Sequence, residues 1–194
     1  MGKVVYWMTV SLDGFVETSD GKIDWTAPDA ELHRFLNESA RKLGAFLHGR
    51  RMYEGMASVW PSADQNPSLS EDIREFGRIW MRTPKVVFSK TLRNVEHDSR
   101  LAGPDIQAEV ATLKQEVEGD LGLGGATLAA SFMRLGLIDE FRLFVRPVVL
   151  GGGKPYFPPL DRPVNLRLVE TRAFPGGVVV LRYERVDGEV RHGQ

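Results

Sequence analysis

The sequence predicts one α/β domain over residues 1–194, with a mostly parallel central sheet, helices on both faces and an antiparallel C-terminal hairpin. Three observations predict it. Short, nearly continuous apolar and β-branched runs (3–10, 45–48, 85–88 and the run into Gly124) are the mark of strands covered on both faces. Each gives way to a stretch with helical spacing of its apolar residues, so strands and helices alternate. The chain then finishes in β-structure, with strand patterns at 164–174 and 178–186 around Pro175-Gly176-Gly177.

Composition narrows the function classes. The chain has 194 residues, 42% hydrophobic and 26% charged, ordinary for a soluble globular protein. The 25 basic and 26 acidic residues nearly cancel, which argues against nucleic acid and anionic membranes as partners. There is no cysteine, so disulfides, thiolate metal sites and cysteine nucleophiles are excluded, and a cytoplasmic location fits. No signal peptide and no membrane-spanning apolar run is visible, and no metal site is expected.

Taken in order, the strand at 3–10 ends in Ser11-Leu12-Asp13-Gly14, a turn signal. Residues 16–28 read as loop. Leu32, Phe35, Leu36, Ala40 and Leu43 then trace a helix over 29–43 that stops at Gly44, with His33 and Arg34 on its surface. A second strand, 45–48, meets Gly49-Arg50-Arg51 and a helix from Met52 to Ser58, ended by Trp60-Pro61. Ser68-Leu69-Ser70-Glu71 reads as a capping box opening a helix to about Arg82. The strand at 85–88 is followed by the polar turn Ser89-Lys90-Thr91, and 92–103 are irregular. Residues 104–118 form an amphipathic helix with Pro104 in its first turn. The run Asp120–Leu123 ends in Gly124-Gly125, and a helix starts at once and ends near Gly136. Residues 137–150 are a long β-rich run interrupted by Pro147, and Gly151-Gly152-Gly153-Lys154 reads as a turn near a site or interface; Val148 and Pro155 rule out a Walker loop.

Polar turns converge at the carboxyl ends of the strands, where open α/β sheets bind ligands. Gly124-Gly125-Ala126-Thr127 suits either a phosphate cradle or a helix start that merely needs small residues. Arg50 and Arg51 oppose their helix dipole unless an anion lies between; the alternative is surface pairing with carboxylates such as Glu54. Asp13 is either a catalytic or substrate-binding carboxylate or a turn aspartate bonded to its own backbone. Trp25 either caps a pocket or packs on the core.

Ser-Leu-Asp-Gly at 11–14, Gly-Arg-x-x-Tyr-Glu at 49–54, Val-Phe-Ser-Lys-Thr-Leu at 87–92, Gly-Gly-Ala-Thr-Leu at 124–128, Gly-Leu-Ile-Asp-Glu at 136–140 and Pro-Val-Val-Leu-Gly-Gly-Gly at 147–153 occur in this order. In that combination the chain, from Val4 to about Val186, resembles the dihydrofolate reductase-like superfamily. The branch it is most similar to is the C-terminal reductase domain of the riboflavin-biosynthesis deaminase-reductases. The resemblance implies a three-layer fold with a sheet of about eight strands and an NADPH-dependent reductase acting as a homodimer. It implies that Gly49, Arg50 and Arg51 contact cofactor phosphates, that Ser89 and Lys90 hold the adenosine 2′-phosphate, and that Gly124, Gly125, Ala126 and Thr127 form the pyrophosphate turn. Met8, Thr9 and Val10 would line the nicotinamide, and Asp13 would face the substrate side. Apart from the resemblance, the loop position of Trp25 makes it a candidate substrate-binding residue, and Asp13 is the candidate proton donor for a reductase.

Two departures shape the functional reading. The acidic residue that binds the pterin in dihydrofolate reductase has only Asp29 or Glu31 as counterparts, offset in their spacing to Gly49. A His/Cys zinc deaminase motif is absent, which leaves the reductase half alone. The leading expectation is hydride transfer from NADPH to a small heterocyclic or sugar-linked substrate, resembling 5-amino-6-(5-phosphoribosylamino)uracil reductase. The alternatives are dihydrofolate reductase activity and a non-catalytic nucleotide-binding protein of the same fold.

Overall fold

A computed structural model describes residues 2–186. Eight strands form one sheet: β1 (Val4–Ser11), β3 (Leu43–Gly49), β4 (Lys85–Phe88), β5 (Ser99–Leu101), β6 (Asp120–Gly124), β7 (Glu140–Arg146), β9 (Leu166–Ala173) and β10 (Val179–Arg185). Their order is β5-β4-β3-β6-β1-β7-β10-β9. The pairings from β5 through β7 are parallel, and the hairpin of β10 and β9 joins antiparallel. Two short strands, β2 (Phe15–Glu17) and β8 (Lys154–Pro155), pair antiparallel on their own.

Five helices connect these strands: α1 (Ala30–Ala40), α2 (Arg50–Ala63), α3 (Glu71–Arg82), α4 (Ile106–Glu116) and α5 (Ala126–Arg134). Alternation along β1 assigns the layers. Val4, Tyr6 and Val10 point into a core with Val110 and Leu113 of α4 and Leu128, Ala129 and Phe132 of α5. Trp7 points the other way, against Phe35 and Leu36 of α1 and the Phe46, Ile79 and Trp80 cluster under α3. The Gly-Leu-Ile-Asp-Glu segment staples the base of the sheet. Asp139 accepts the Val4 N–H at 2.7 Å and Lys114 at 2.5 Å, while buried Glu140 takes Arg142 at 2.5 Å and Arg182 at 3.1 Å.

The expected elements shift where tertiary packing outweighs a local signal. α2 runs through Pro61 to Ala63, because Ala63 is buried against Gly77 of α3 and that packing holds the last turn. The α3 cap is Ser70, whose Oγ accepts the Ile73 N–H at 3.4 Å, rather than Ser68. Pro104 lies outside α4, and Asp105 caps it by accepting from Gln107 and Ala108. β7 stops at Arg146, before Pro147, and leaves Val149 67% exposed. Loop 16–28 holds part of β2 and a single 3-10 turn, Asp24–Thr26, and the irregular 92–103 segment contains β5. His33 is buried on α1, edge-on to Phe76 of α3, rather than on the surface. Residues 187–194 of the expected domain lie outside the described residues. No helix among the described residues is long and apolar enough to cross a membrane.

Candidate functional site

β3 and β6 are parallel neighbours with His48 opposite Gly124, so the helices that follow them, α2 and α5, start side by side. Both start in the same unusual way. α1, α3 and α4 have side-chain caps from Asp29, Ser70 and Asp105, whereas the caps of α2 and α5 are Gly49 and Gly125, which supply no acceptor. Neither first turn contains an acidic residue. Two sets of helix-start N–H groups and two positive dipole ends therefore open onto one place, a ready site for an anion. Gly125 requires glycine, since its φ is +95°, and a Cβ there would lie 3.5 Å from Met52. Its N–H points at the Met8 sulfur, 3.4 Å away on β1.

This place forms one end of a cavity of about 710 Å³, within the range of small-molecule sites. Gly49, Arg50, Arg51, Gly125, Ala126 and Thr127 line that end. Arg50 lies 3.8 Å from Glu54, an exposed pair of little energetic weight. Arg51 has no carboxylate partner among the described residues. Further along, the wall is apolar, with Met52, Met56, Val59 and Trp60 from α2, Met8 from β1 and Ile23 from the loop. The β2–β8 pairing brings Glu17 and Lys154 to the rim, joined in an ion pair at 2.5 Å. His48, just behind Gly49, is fully buried and pushed down to about 3 by burial, so it is neutral and takes no part as an acid.

The other residues singled out in the sequence lie around this cavity. Of Met8, Thr9 and Val10, Met8 reaches the wall; Val10 is in the core and Thr9 half-buried on the opposite face. Ser89 folds its turn by accepting the Thr91 and Leu92 N–H groups at 3.2 and 3.0 Å, directly after Phe88 of the wall region. Lys90 is exposed beside it. Gly124 is buried at the end of β6, where a Cβ would lie 3.3 Å from His48. Trp25 sits in the 3-10 turn, half-buried, with its carbonyl accepting from Arg146 at 3.3 Å; its neighbour Ile23 is the wall residue.

Asp13 is exposed and off the wall, and its two oxygens accept the Leu150 and Gly151 N–H groups at 3.1 and 2.7 Å. Hydrogen bonding from Ser11, and then from those two amides, holds its carboxyl below the ordinary range. A carboxylate held in that state is a brace for the 148–153 turn and a poor proton donor near neutrality. Asp29 and Glu31 are also engaged elsewhere: Asp29 caps α1, and Glu31 pairs with Arg172 at 3.4 Å. Sequence reasoning missed the α2 stripe of Met52, Met56 and Val59, and within the loop at 16–28 it singled out Trp25 as the pocket residue rather than Glu17 and Ile23. The stripe has helical spacing, but nothing local says that it faces a cavity and not the core.

The RibD C-terminal domain family matches residues 2–180. The chain belongs to that family. Among the relatives of this RibD C-terminal domain protein are the uncharacterized Bacillus subtilis (strain 168) proteins YyaP and YwjB. YyaP is 35% identical over 184 residues, covering 93% of this chain and 94% of its own. YwjB is 31% identical over 188 residues, covering 94% and 98%. Solved structures share the fold at lower identity. A Shewanella sp. PV-4 protein assigned to riboflavin biosynthesis superposes with a TM-score of 0.75 at 20% identity, covering 95% of this chain and 99% of that one. The Thermotoga maritima diaminohydroxyphosphoribosylaminopyrimidine deaminase/5-amino-6-(5-phosphoribosylamino)uracil reductase superposes at 0.66 and 16% identity, covering 95% of this chain and 57% of that one. Dihydrofolate reductase from Enterococcus faecalis, solved with NADP(H) and RAB-propyl, superposes with a TM-score of 0.63 at 16% identity, covering 96% of this chain and 98% of that one. The fold is dihydrofolate reductase-like, as the sequence motifs imply.

Proposed function

We propose that this protein is an NADPH-dependent reductase that transfers a hydride to a small heterocyclic or sugar-linked substrate. The observation that carries the proposal is the pair of uncapped helix starts at Gly49 and Gly125, opening on one cavity beside Arg50 and Arg51. Backbone donors and guanidinium groups are the chemistry that a pyrophosphate needs. The names of the structural neighbours, a uracil reductase and a dihydrofolate reductase, support the same reading.

The residues present fit the cofactor. Gly49, Arg50, Arg51 and Gly124 through Thr127 would hold its phosphates, Ser89 and Lys90 its 2′-phosphate, and Met8, the one residue of 8–10 on the cavity wall, the region of its nicotinamide. Bound there, it would supply the hydride. The protein's own contribution is placement and exclusion of water. Met8, Met52 and Phe88 give the wall an apolar surface, and the Asp13 brace holds the 148–153 turn that leads into Lys154 at the rim. Two copies of the chain belong to this reading, because β9 is a sheet edge with Leu168 and Val169 exposed.

Titration of the purified protein with NADPH, with NADH as control, tests the proposal by quenching of tryptophan fluorescence. Saturable, NADPH-selective binding is expected. Failure to bind either nucleotide would leave a non-catalytic protein of the same fold as the better reading.

A further inference from the structure

We infer that Tyr53 is a positioning residue for cofactor selectivity. Its hydroxyl ties the loop between β4 and β5 back onto α2, and so holds Lys90 at the distance from the Gly49 helix start that a 2′-phosphorylated dinucleotide needs. This rests on the reading above, in which the helix start takes the pyrophosphate and Ser89 and Lys90 take the 2′-phosphate.

The sheet sets those two elements beside each other. β3 and β4 are parallel neighbours with Gly49 opposite Phe88. The chain passes from Gly49 directly into α2, and from Phe88 directly into Ser89 and Lys90. Strand register fixes where both segments begin, but not where the loop 89–98 goes next. Ser89 folds only its own turn, through the Thr91 and Leu92 amides. Lys90 is exposed, on a long side chain that nothing in that turn orients.

Tyr53 supplies the constraint. It is 6% exposed, one turn into α2. Its hydroxyl accepts the Glu96 N–H at 2.7 Å and donates to the Glu96 carbonyl at 3.1 Å. One side chain thus satisfies both backbone groups of one residue, as a neighbouring strand would. Among the described residues this is the one hydrogen-bond tie from residues 93–96 to the rest of the chain. Phenylalanine in its place would keep the buried ring and lose both bonds.

The backbone just beyond shows that the tie is under demand. His97 and Asp98 have φ +58° and +53°, two consecutive left-handed residues that carry side chains. Such a pair persists where its surroundings hold it from both sides. On the far side the Asp98 carbonyl accepts the Lys85 N–H at 3.0 Å, and the His97 ring lies against Trp80 with centroids 5.9 Å apart. On the near side stands the bond pair from Tyr53 to Glu96. The loop is therefore a closed bracket that departs beside Gly49 and returns to the helix Gly49 starts. Arg50 lies three residues before Tyr53, so the helix face that carries the tie also carries a cation assigned to the pyrophosphate. NADPH differs from NADH only in the 2′-phosphate. A released loop would lower the fraction of molecules with Lys90 in place, which weakens NADPH and leaves NADH alone.

Titration of the whole protein with NADPH and with NADH tests this on wild type, Tyr53→Phe, Lys90→Ala and the double variant. Tyr53→Phe should raise the NADPH Kd about fivefold and keep the NADH Kd within about twofold. Because Tyr53 acts through Lys90, adding Tyr53→Phe to Lys90→Ala should change the NADPH Kd by less than about twofold. Amide hydrogen exchange reads the tie without any nucleotide: the Glu96 N–H should exchange about tenfold faster in Tyr53→Phe, with the β3 amides unchanged. Equal weakening of both nucleotides, additive effects in the double variant, or unchanged exchange at Glu96 would each overturn the inference. A wild type that prefers NADPH, with that preference intact in Tyr53→Phe, would overturn it and leave the cofactor reading standing. A wild type with no preference for NADPH would overturn both.

Discussion

Replacing Gly49 by Asp should make the protein more stable and a worse binder of NADPH, two effects of opposite sign from one carboxylate. Gly49 has φ −77° and ψ 166°, a backbone open to any residue and ordinary for a helix cap. A Cβ there would meet Leu128 at 3.6 Å, normal van der Waals contact. The new carboxylate would accept from an α2 N–H group and face the positive end of the dipole. A cap better than glycine contributes a few tenths of a kcal/mol and the dipole about 0.3–1 kcal/mol, so about 1 kcal/mol in all. For a chain of this size that raises Tm by about 2–4 °C. The same charge, about 4 Å from a bound phosphate, costs about 1 kcal/mol at the dielectric of water and about 4 kcal/mol at the effective value near a protein surface. The NADPH Kd should therefore rise by a factor of about 5 to about 1000. Gly49→Asn supplies the cap without the charge and should keep most of the affinity. Differential scanning fluorimetry and NADPH titration read the two effects separately. An Asp variant with raised Tm and unchanged NADPH affinity would refute the placement of phosphates at this helix start, and a lowered Tm would refute the capping argument.

Further predictions concern residues around the site and the core. Lys90→Ala should weaken NADPH about tenfold and leave NADH unchanged, as expected for loss of one charge-assisted contact to the 2′-phosphate; equal effects on both nucleotides would remove that role. Asp13→Ala should lower turnover with the NADPH Kd nearly intact, and Asp13→Asn, which keeps one acceptor for the Leu150 and Gly151 amides, should recover part of it; identical kinetics of wild type and Asp13→Ala would discard the brace. Gly125→Ala forces a Cβ onto φ +95° and should cost about 1–2 kcal/mol in urea unfolding. Lys85 is 1% exposed, caps α3 by donating to the Trp80 carbonyl at 2.7 Å, and is pushed by burial from 10.5 down to about 8. Because the unfolded chain binds the proton more tightly, stability should rise between pH 8 and 10.5 by up to about 3 kcal/mol relative to Lys85→Met. Parallel stability–pH curves for the two proteins would show that Lys85 keeps its ordinary affinity for the proton.

Much of the architecture is legible in local pattern. The runs at 3–10, 45–48 and 85–88 and the one ending in Gly124 are parallel strands in the sheet, and the pattern at 164–186 is its antiparallel hairpin. Where a local signal misled, a competing contact explains it. Pro61 costs α2 one hydrogen bond, but burial of Ala63 on Gly77 keeps the turn helical. His33 carries a titratable ring, yet the α1–α3 interface buries it beside Phe76. Pro147 and the glycines after it end β7, and the apolar Val149 is left outside.

The candidate site divides in the same way. Glycines at strand ends and arginines at a helix start are chain-local features, and so are the family motifs; the sequence by itself determined these, together with the order of strands and helices. Their meeting place was decided by tertiary structure. β3 and β6 are separated by some seventy residues of chain, and only the parallel pairing of His48 with Gly124 sets the two uncapped helices side by side. The same holds for the Met52, Met56 and Val59 stripe, whose spacing is identical for a core face and a cavity wall. It also holds for the ion pair of Glu17 and Lys154, which exists because β2 pairs with β8. Periodicity and turn chemistry act over a few residues, so one chain records them directly. Facing, burial and charge pairing arise between segments distant in sequence, and they become definite only when the sheet order brings those segments together.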